Sequence, residues 1–181
     1  MPKLEEIAYD GFFEKTKRLG LDGVLNEARE ILSDFPLLVL EKKDSNGGAA
    51  LRELIDERFG AATGWKKQQT GDVDWTKCHR VNGTEVCLGV EVQMSARGDM
   101  LVMDVHHLRT GMTVGRIDVG VLAVPSDKLG AFLTDRAPCL SDAKRHVEMA
   151  RATDLPLLLI GITHDGQGPA LPKRYKRTKA G

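Results

Sequence analysis

Residues 73–94 read VDWTKCHRVNGTEVCLGVEVQM, and this stretch predicts a long β-hairpin. Asn82-Gly83 separates two strand-like runs, and a two-residue type I′ turn favours this pair because both of its positions need a positive φ. With that turn, Val81 lies opposite Thr84, and residues equally far from the turn pair across the hairpin. Asp74 therefore lies opposite Glu91.

The alternation of polar and apolar side chains supports the same register. One face is mainly apolar and collects Val73, Trp75, Lys77, His79, Val81, Thr84, Val86, Leu88, Val90, Val92 and Met94. The other face is mainly polar and collects Asp74, Thr76, Cys78, Arg80, Glu85, Cys87, Gly89, Glu91 and Gln93. Because each face takes every second residue, a slip of one position would mix the two sets.

The register brings Asp74, Glu91 and Gln93 together at the end of the hairpin far from its turn. Like charges that lie directly opposite each other destabilise a sheet. Two interpretations remain open at this point. The carboxylates are either solvated surface groups, or they bind a cation such as Mg²⁺ or Ca²⁺, for which carboxylate and amide oxygens are suitable ligands.

The composition is that of a globular domain without a global nucleic-acid signature. The chain has 181 residues, enough for one domain, and its 26 basic and 26 acidic residues give a net charge of zero. A local basic groove remains possible. Residues 173–179 are strongly basic, and we expect a solvated tail there rather than an arm that contacts phosphates.

Targeting and cysteine patterns favour the cytoplasm. The N-terminus lacks the apolar segment of a signal peptide, and no apolar run is long enough to span a membrane. Three cysteines are an odd number without a dense framework, so we expect Cys78 and Cys87, which lie opposite each other, to be reduced. With His79, His106 and His107 they allow a zinc alternative, although their spacing is not a zinc signature.

Periodicity predicts a single domain with a mixed sheet flanked by helices, an α/β (α+β) architecture. Predicted helices cover 4–18, 21–32, 49–59, 127–136 (capped by Ser126) and 142–152 (capped by Ser141). Predicted strands beyond the hairpin cover 100–107, 116–124 and the continuous apolar run 155–162. The regions are a helical N-terminal part (1–45), a core (49–165) and a basic tail (166–181).

This order of elements resembles the core of PD-(D/E)xK nucleases, and the residues resemble those of the BglII and BstYI restriction endonucleases. Glu91-Val92-Gln93 is similar to the Glu-Val-Gln of that family, in which glutamine replaces the usual lysine of the superfamily. Further similar segments are Gly115-Arg116-Ile117-Asp118-Val119-Gly120, Leu155–Ile162 and Leu51–Trp65, a predicted helix followed by Gly64-Trp65. Sixteen residues separate Asp74 from Glu91, more than in the family pattern, so Asp72 is a rival for the aspartate position.

The resemblance implies a type II restriction endonuclease that cuts double-stranded DNA at a short palindrome with Mg²⁺ and as a homodimer. A GATC-containing site is the first to test. Other nucleases of this fold, for repair or junction processing, and a catalytically silent DNA-binding module are the alternatives. The implied catalytic residues are Asp74, Glu91, Gln93 and Glu53. Asp74, Glu91 and the Val92 carbonyl would bind the metal. Charge alone makes Arg109, Arg116, Lys144 and Arg145 candidates for DNA contacts, with a solvated surface as the alternative. His107 is a further candidate, with a core or rim position as its alternative.

Overall fold

A computed structural model describes residues 1–69, 71–95, 100–134 and 137–173. The strands in these ranges are β1 (Leu4–Ala8), β2 (Leu38–Val39), β3 (Lys66–Lys67), β4 (Trp75–Val81), β5 (Thr84–Val92), β6 (Val119–Pro125), β7 (Leu157–Ile162) and β8 (Gly166–Gln167). The helices are α1 (Phe12–Arg18), α2 (Asp22–Ser33), α3 (Gly48–Ala61), α4 (Met100–Thr113), α5 (Asp127–Gly130) and α6 (Leu140–Met149).

A mixed six-stranded sheet in the order β1-β7-β6-β5-β4-β3 forms the centre of the molecule, and β2 pairs with β8 in a small parallel sheet. β5, β6 and β7 run parallel to one another, whereas β1, β4 and β3 pair in antiparallel fashion. Parallel neighbours require crossover connections, and α4 and α6 lie in the segments that provide them. The predicted mixed α+β architecture is confirmed.

The hairpin has the predicted register. Val81 pairs with Thr84, and Trp75 pairs with Val90. Asn82 and Gly83 have φ values of 50° and 85°, the two positive angles that a type I′ turn requires. Asp74 therefore leads into β4 directly across from the end of β5, where Glu91 lies.

The sheet separates two hydrophobic clusters, and this separation decides where each side chain of β5 points. Val86, Leu88, Val90 and Val92 pack in one cluster with α2 and α3. The other cluster contains Cys87 with residues of α4 and α6. Since neighbours along a strand point to opposite faces, Glu91 and Gln93 point toward the side on which α4 lies.

Two predicted elements are wrong. Residues 4–8 form β1 rather than the start of a helix, because this segment pairs with β7 along its whole length. Residues 100–107 begin α4 rather than a strand. Leu101, Val105 and Leu108 are buried on one side of this helix at four- and three-residue spacing, a helical pattern that the β-branched residues nearby obscured.

The capped helices near the C-terminus differ at their ends from the prediction. Ser126 accepts a hydrogen bond from the Leu129 backbone N–H, as predicted for a cap, but α5 is a single turn that ends at Gly130. Cys139, not Ser141, precedes α6, and Asp142 accepts a hydrogen bond from the Cys139 backbone N–H. The helix therefore begins two residues earlier than the sequence suggested.

Cys78 and Cys87 form a disulfide across the hairpin, so the prediction of reduced thiols is wrong. Their Cα atoms lie 4.0 Å apart because the two residues are direct partners of the antiparallel register. With both sulfurs in a covalent bond, the zinc alternative loses its two thiolates.

The start of the predicted basic tail is part of the fold. β8 pairs with β2, and the Leu171 backbone N–H donates to Asn46 Oδ1 at 3.1 Å. Lys173 donates to the Asp44 carbonyl, and the basic residues from 174 onward lie outside the described residues. Among the described helices, none combines the length and the apolar character needed to cross a bilayer.

Candidate active site

A cavity of about 370 Å³ lies beside the C-terminal end of β5, between the hairpin and the helices α3 and α4. The side chains that give it chemical character are Arg52, Asp74, Glu91, Gln93, Asp104 and His107. Glu91 and Gln93 are 3% and 7% exposed, which is rare for such residues unless a partner compensates their burial. The cavity therefore combines burial with a high density of charge.

Glu91 lies at the centre of this cluster. Burial raises the pKa of Glu91 to about 11, and the nearby Asp74 and Asp104 carboxylates add to the effect by repelling a further negative charge. His107 Nδ1 lies 2.9 Å from Glu91 Oε1. In the metal-free protein Glu91 therefore keeps its proton at neutral pH.

Asp104 approaches the same point from α4. Burial, with repulsion by Asp74, raises the pKa of Asp104 to about 7. Its Oδ2 is buried and has no hydrogen-bond partner among the described residues. Ligand atoms of Glu91, Asp104 and His107 all lie within 4.8 Å of one another.

Asp74 is held on the other side of the cavity by α3 and by the backbone of β5. Arg52 Nη2 donates to Asp74 Oδ1 at 2.7 Å, and the Val92 backbone N–H donates to Asp74 Oδ2 at 2.9 Å. Arg52 Nη1 also donates to the Val92 carbonyl. Asp56, one helical turn further along α3, lies 3.1 Å from Arg52 Nε and completes this arrangement.

The structure brings together Asp74, Glu91, Val92 and Gln93, four of the residues expected at the site. Glu53 is exposed on α3 and does not line the cavity, whereas its neighbour Arg52 does. Asp72, the rival of Asp74, also lines the cavity but is paired with Arg116 at 2.5 Å. The Asp74 carboxylate is therefore the one that lies against Glu91 and Val92.

The residues expected to contact DNA are dispersed. His107 lies inside the cavity, and Arg109 donates to the Ala150 and Arg151 carbonyls after α6. Lys144 and Arg145 are exposed on α6, where each lies near an acidic residue of the same helix. These two side chains and the half-exposed Arg116 remain accessible to a phosphate backbone.

Sequence reasoning missed Arg52 and Asp104. Asp104 and His107 are three residues apart and so share one face of a helix, a signal that the strand prediction for 100–107 concealed. Arg52 stands directly beside Leu51, which is buried, at the edge of the apolar face of α3. Its role emerges only when α3 packs on the hairpin.

Comparison with known proteins agrees with this geometry. The family model of the restriction endonuclease BglII/BglIII matches residues 22–162 of the chain, most of its length. The chain belongs to the BglII/BglIII restriction endonuclease family. Membership makes it a nuclease of the type II restriction class that acts on double-stranded DNA, in a family that typically uses a divalent metal. No curated protein matches the chain closely enough to be informative.

Proposed function

We propose that this BglII-family member cleaves double-stranded DNA at a short palindrome with Mg²⁺, using Asp74, Glu91, the Val92 carbonyl and Gln93. The observation that carries the proposal is that these groups converge in one cavity at the end of β5. An isolated carboxylate pair on a sheet surface would need no such burial. The burial of Glu91 beside the half-buried Asp74 is better explained by a cation that neutralises the pair.

The donor set fits a hard divalent cation. Two carboxylates and a backbone carbonyl are oxygen ligands of the kind that Mg²⁺ prefers, and the cavity leaves space for water to complete its coordination. The guanidinium of Arg52, which bridges Asp74 and the Val92 carbonyl, demonstrates that these oxygens accept a positive partner. Arg52 would have to release both oxygens when a cation binds there.

Phosphodiester hydrolysis needs a positioned nucleophilic water, and neutralisation of charge on the phosphate. Bound Mg²⁺ supplies an acidified water and polarises the phosphate oxygens. Gln93 carries no charge, so it orients the water through its amide rather than removing a proton. Asp74 and Glu91 would supply the negative charge that holds the cation.

Specificity for a palindrome implies a two-fold assembly, because a symmetric site is matched by two copies related by the same symmetry. A homodimer is therefore part of the proposal, and GATC-containing sites are the first to test. Arg116, Lys144 and Arg145 are the accessible cations offered for phosphate contacts. Sedimentation of the protein with and without a short duplex would measure the assembly.

Digestion of a sequenced plasmid tests the activity. Wild-type protein with Mg²⁺ should give discrete fragments whose ends define one sequence, and EDTA should abolish them. Glu91→Gln should remove cleavage. Glu85→Gln, at the opposite, exposed end of β5 and paired with Arg80, is the matched control and should cleave normally.

Three results would contradict the proposal. Cleavage by Glu91→Gln at the wild-type rate would remove the site assignment. Cleavage of branched duplexes only, without discrete plasmid fragments, would favour the junction-processing alternative. Specific DNA binding without cleavage under any divalent metal would favour the silent module.

A further inference from the structure

The cavity contains a second group of metal-ligand types beside the proposed Mg²⁺ ligands. Glu91, from β5, meets Asp104 and His107, both from α4. Asp104 and His107 are three residues apart, which places them on the same side of the helix. The group combines two carboxylates with an imidazole, whereas the neighbouring set of Asp74, Glu91 and the Val92 carbonyl has oxygen donors only.

Asp104 supplies an independent observation. Its side chain is 9% exposed, and its buried Oδ2 has no hydrogen-bond partner among the described residues. No lysine or arginine forms an ion pair with Asp104 or Glu91 in the described part of the chain. A buried carboxylate oxygen without a partner is unfavourable, so its position at the cavity wall next to two further ligand atoms points to a cation.

The distances agree with shared coordination. His107 Nδ1 and Glu91 Oε1 are 2.9 Å apart. Two adjacent ligands of an octahedral ion with bonds of about 2.1 Å are separated by roughly 3 Å. The pair therefore needs little movement to bind one ion together.

We propose that Glu91, Asp104 and His107 form a second cation site, which shares Glu91 with the proposed Mg²⁺ site. The imidazole distinguishes the ion that it takes. Mg²⁺ and Ca²⁺ prefer oxygen ligands, whereas imidazole suits first-row transition metals. The site therefore favours a first-row transition-metal ion that accepts imidazole, such as Co²⁺ or Zn²⁺, over Mg²⁺ or Ca²⁺.

Arg52 hydrogen-bonds Asp74 and the Val92 carbonyl, and neither of these belongs to the second group. A cation bound by Glu91, Asp104 and His107 would not compete with the two oxygens that Arg52 occupies. The second site can therefore bind its ion while Arg52 stays in place. This inference extends the proposed nuclease function through Glu91, but its test does not depend on cleavage.

Co²⁺ is a suitable probe, because its visible absorption reports the ligands that surround it. Metal-free protein without a histidine tag is titrated with Co²⁺ and followed by absorption and calorimetry. The variants are His107→Gln and Asp104→Asn. His106→Gln is the matched control, an exposed histidine next to His107 on α4. Thermal unfolding in EDTA identifies which variants are folded. If either His107→Gln or Asp104→Asn does not fold, the Co²⁺ binding of the other variant tests the proposal.

Wild-type protein should bind Co²⁺ with an absorption band that His107→Gln loses. Both site variants should bind Co²⁺ at least about tenfold more weakly, since even partners of metal ligands have effects of that size. His106→Gln should match the wild type, and Asp74→Asn should keep the band because Asp74 is not a ligand of this site. Unchanged Co²⁺ binding by either folded site variant would overturn the proposal.

The proposed nuclease function and the proposed second cation site can be refuted independently of each other. A His107-dependent Co²⁺ band in a protein that does not cleave DNA would leave this site in place and remove the nuclease assignment. Normal cleavage with Mg²⁺, with no contribution of His107 or Asp104 to Co²⁺ binding, would do the reverse.

Discussion

Replacing Glu91 by glutamine should make the metal-free protein more stable at neutral and alkaline pH. Glu91 is buried, and its pKa is raised to about 11 from an ordinary value of 4.5. Glutamine has nearly the same shape and carries no charge, so Glu91→Gln keeps the packing while it removes the titration. Stabilisation by loss of an acidic side chain is the signature of a buried site that lacks its cation.

The sign follows from proton uptake on folding. Below the unfolded pKa of 4.5, Glu91 is protonated in both states and pH has no effect through this group. Between 4.5 and about 11 the folded protein keeps a proton that the unfolded chain has released, so stability falls as pH rises. Each pH unit changes the unfolding free energy by about 1.4 kcal/mol, which gives about 4 kcal/mol between about pH 5.5 and about pH 8.5.

Urea unfolding in EDTA at these two pH values measures the effect. The wild type should lose about 4 kcal/mol more than Glu91→Gln over this interval, a large part of the stability of an ordinary domain. Asp104, with a pKa of about 7, also destabilises the protein as pH rises toward neutrality, but it does so in both proteins and cancels in the difference. Glu85→Gln, exposed on the same strand, should follow the wild type. Equal pH dependence of wild type and Glu91→Gln would refute the reasoning.

Five further substitutions, at four positions, separate the roles of the cavity residues. Asp74→Asn should abolish single-turnover cleavage of a cognate duplex. Asp72→Asn should lower the cleavage rate by less than about tenfold, because the Asp72 carboxylate is paired with Arg116 rather than with the site. Equal losses of rate would show that Asp72 is as good a candidate for the metal ligand as Asp74. Gln93→Leu should lose nearly all activity in the same assay and Gln93→Glu should retain part, because only the latter still accepts a hydrogen bond from water; wild-type rates in Gln93→Leu would exclude the amide from the reaction. Arg52→Met should lower the unfolding free energy in EDTA by about 2 kcal/mol, since it leaves the half-buried Asp74 without its cation; an unchanged value by urea unfolding would show that water replaces the guanidinium at no cost.

The parts of the fold that depend on local sequence could be predicted. Asn82-Gly83 determines the turn, and the turn determines every pair of the hairpin, so Asp74 and Glu91 could be placed opposite each other without knowledge of the rest of the chain. The continuous apolar run that forms β7 needed only its own composition. Such signals are local, because the φ angles of a turn and the burial of a strand restrict which residue types can occupy adjacent positions.

The errors fall on elements whose structure depends on distant residues. β1 is a strand because Leu4 pairs with Ile162 and Ala8 pairs with Leu158 at the edge of the sheet. No local sequence pattern encodes a pairing between residues so far apart in the chain. α4 contains β-branched residues and alternating segments that fit either structure, and its burial against the sheet selects the helix. Asp104 was not predicted as a site residue because of this error, since its side chain lies near Glu91 only when residues 100–113 form a helix.

The zero net charge of the chain conceals a strong local imbalance in the cavity. Asp74, Glu91 and Asp104 bring three carboxylates together, and Arg52 is the guanidinium that touches one of them. Folding without metal is possible because Glu91 retains a proton and Arg52 neutralises Asp74. Both compensations are reversible, since a proton can be released and a flexible side chain can move. A cation that replaces them must displace the Glu91 proton and the Arg52 guanidinium, and its binding therefore strengthens as pH rises. The crowding of carboxylates that destabilises the metal-free site is also what would attract the cation.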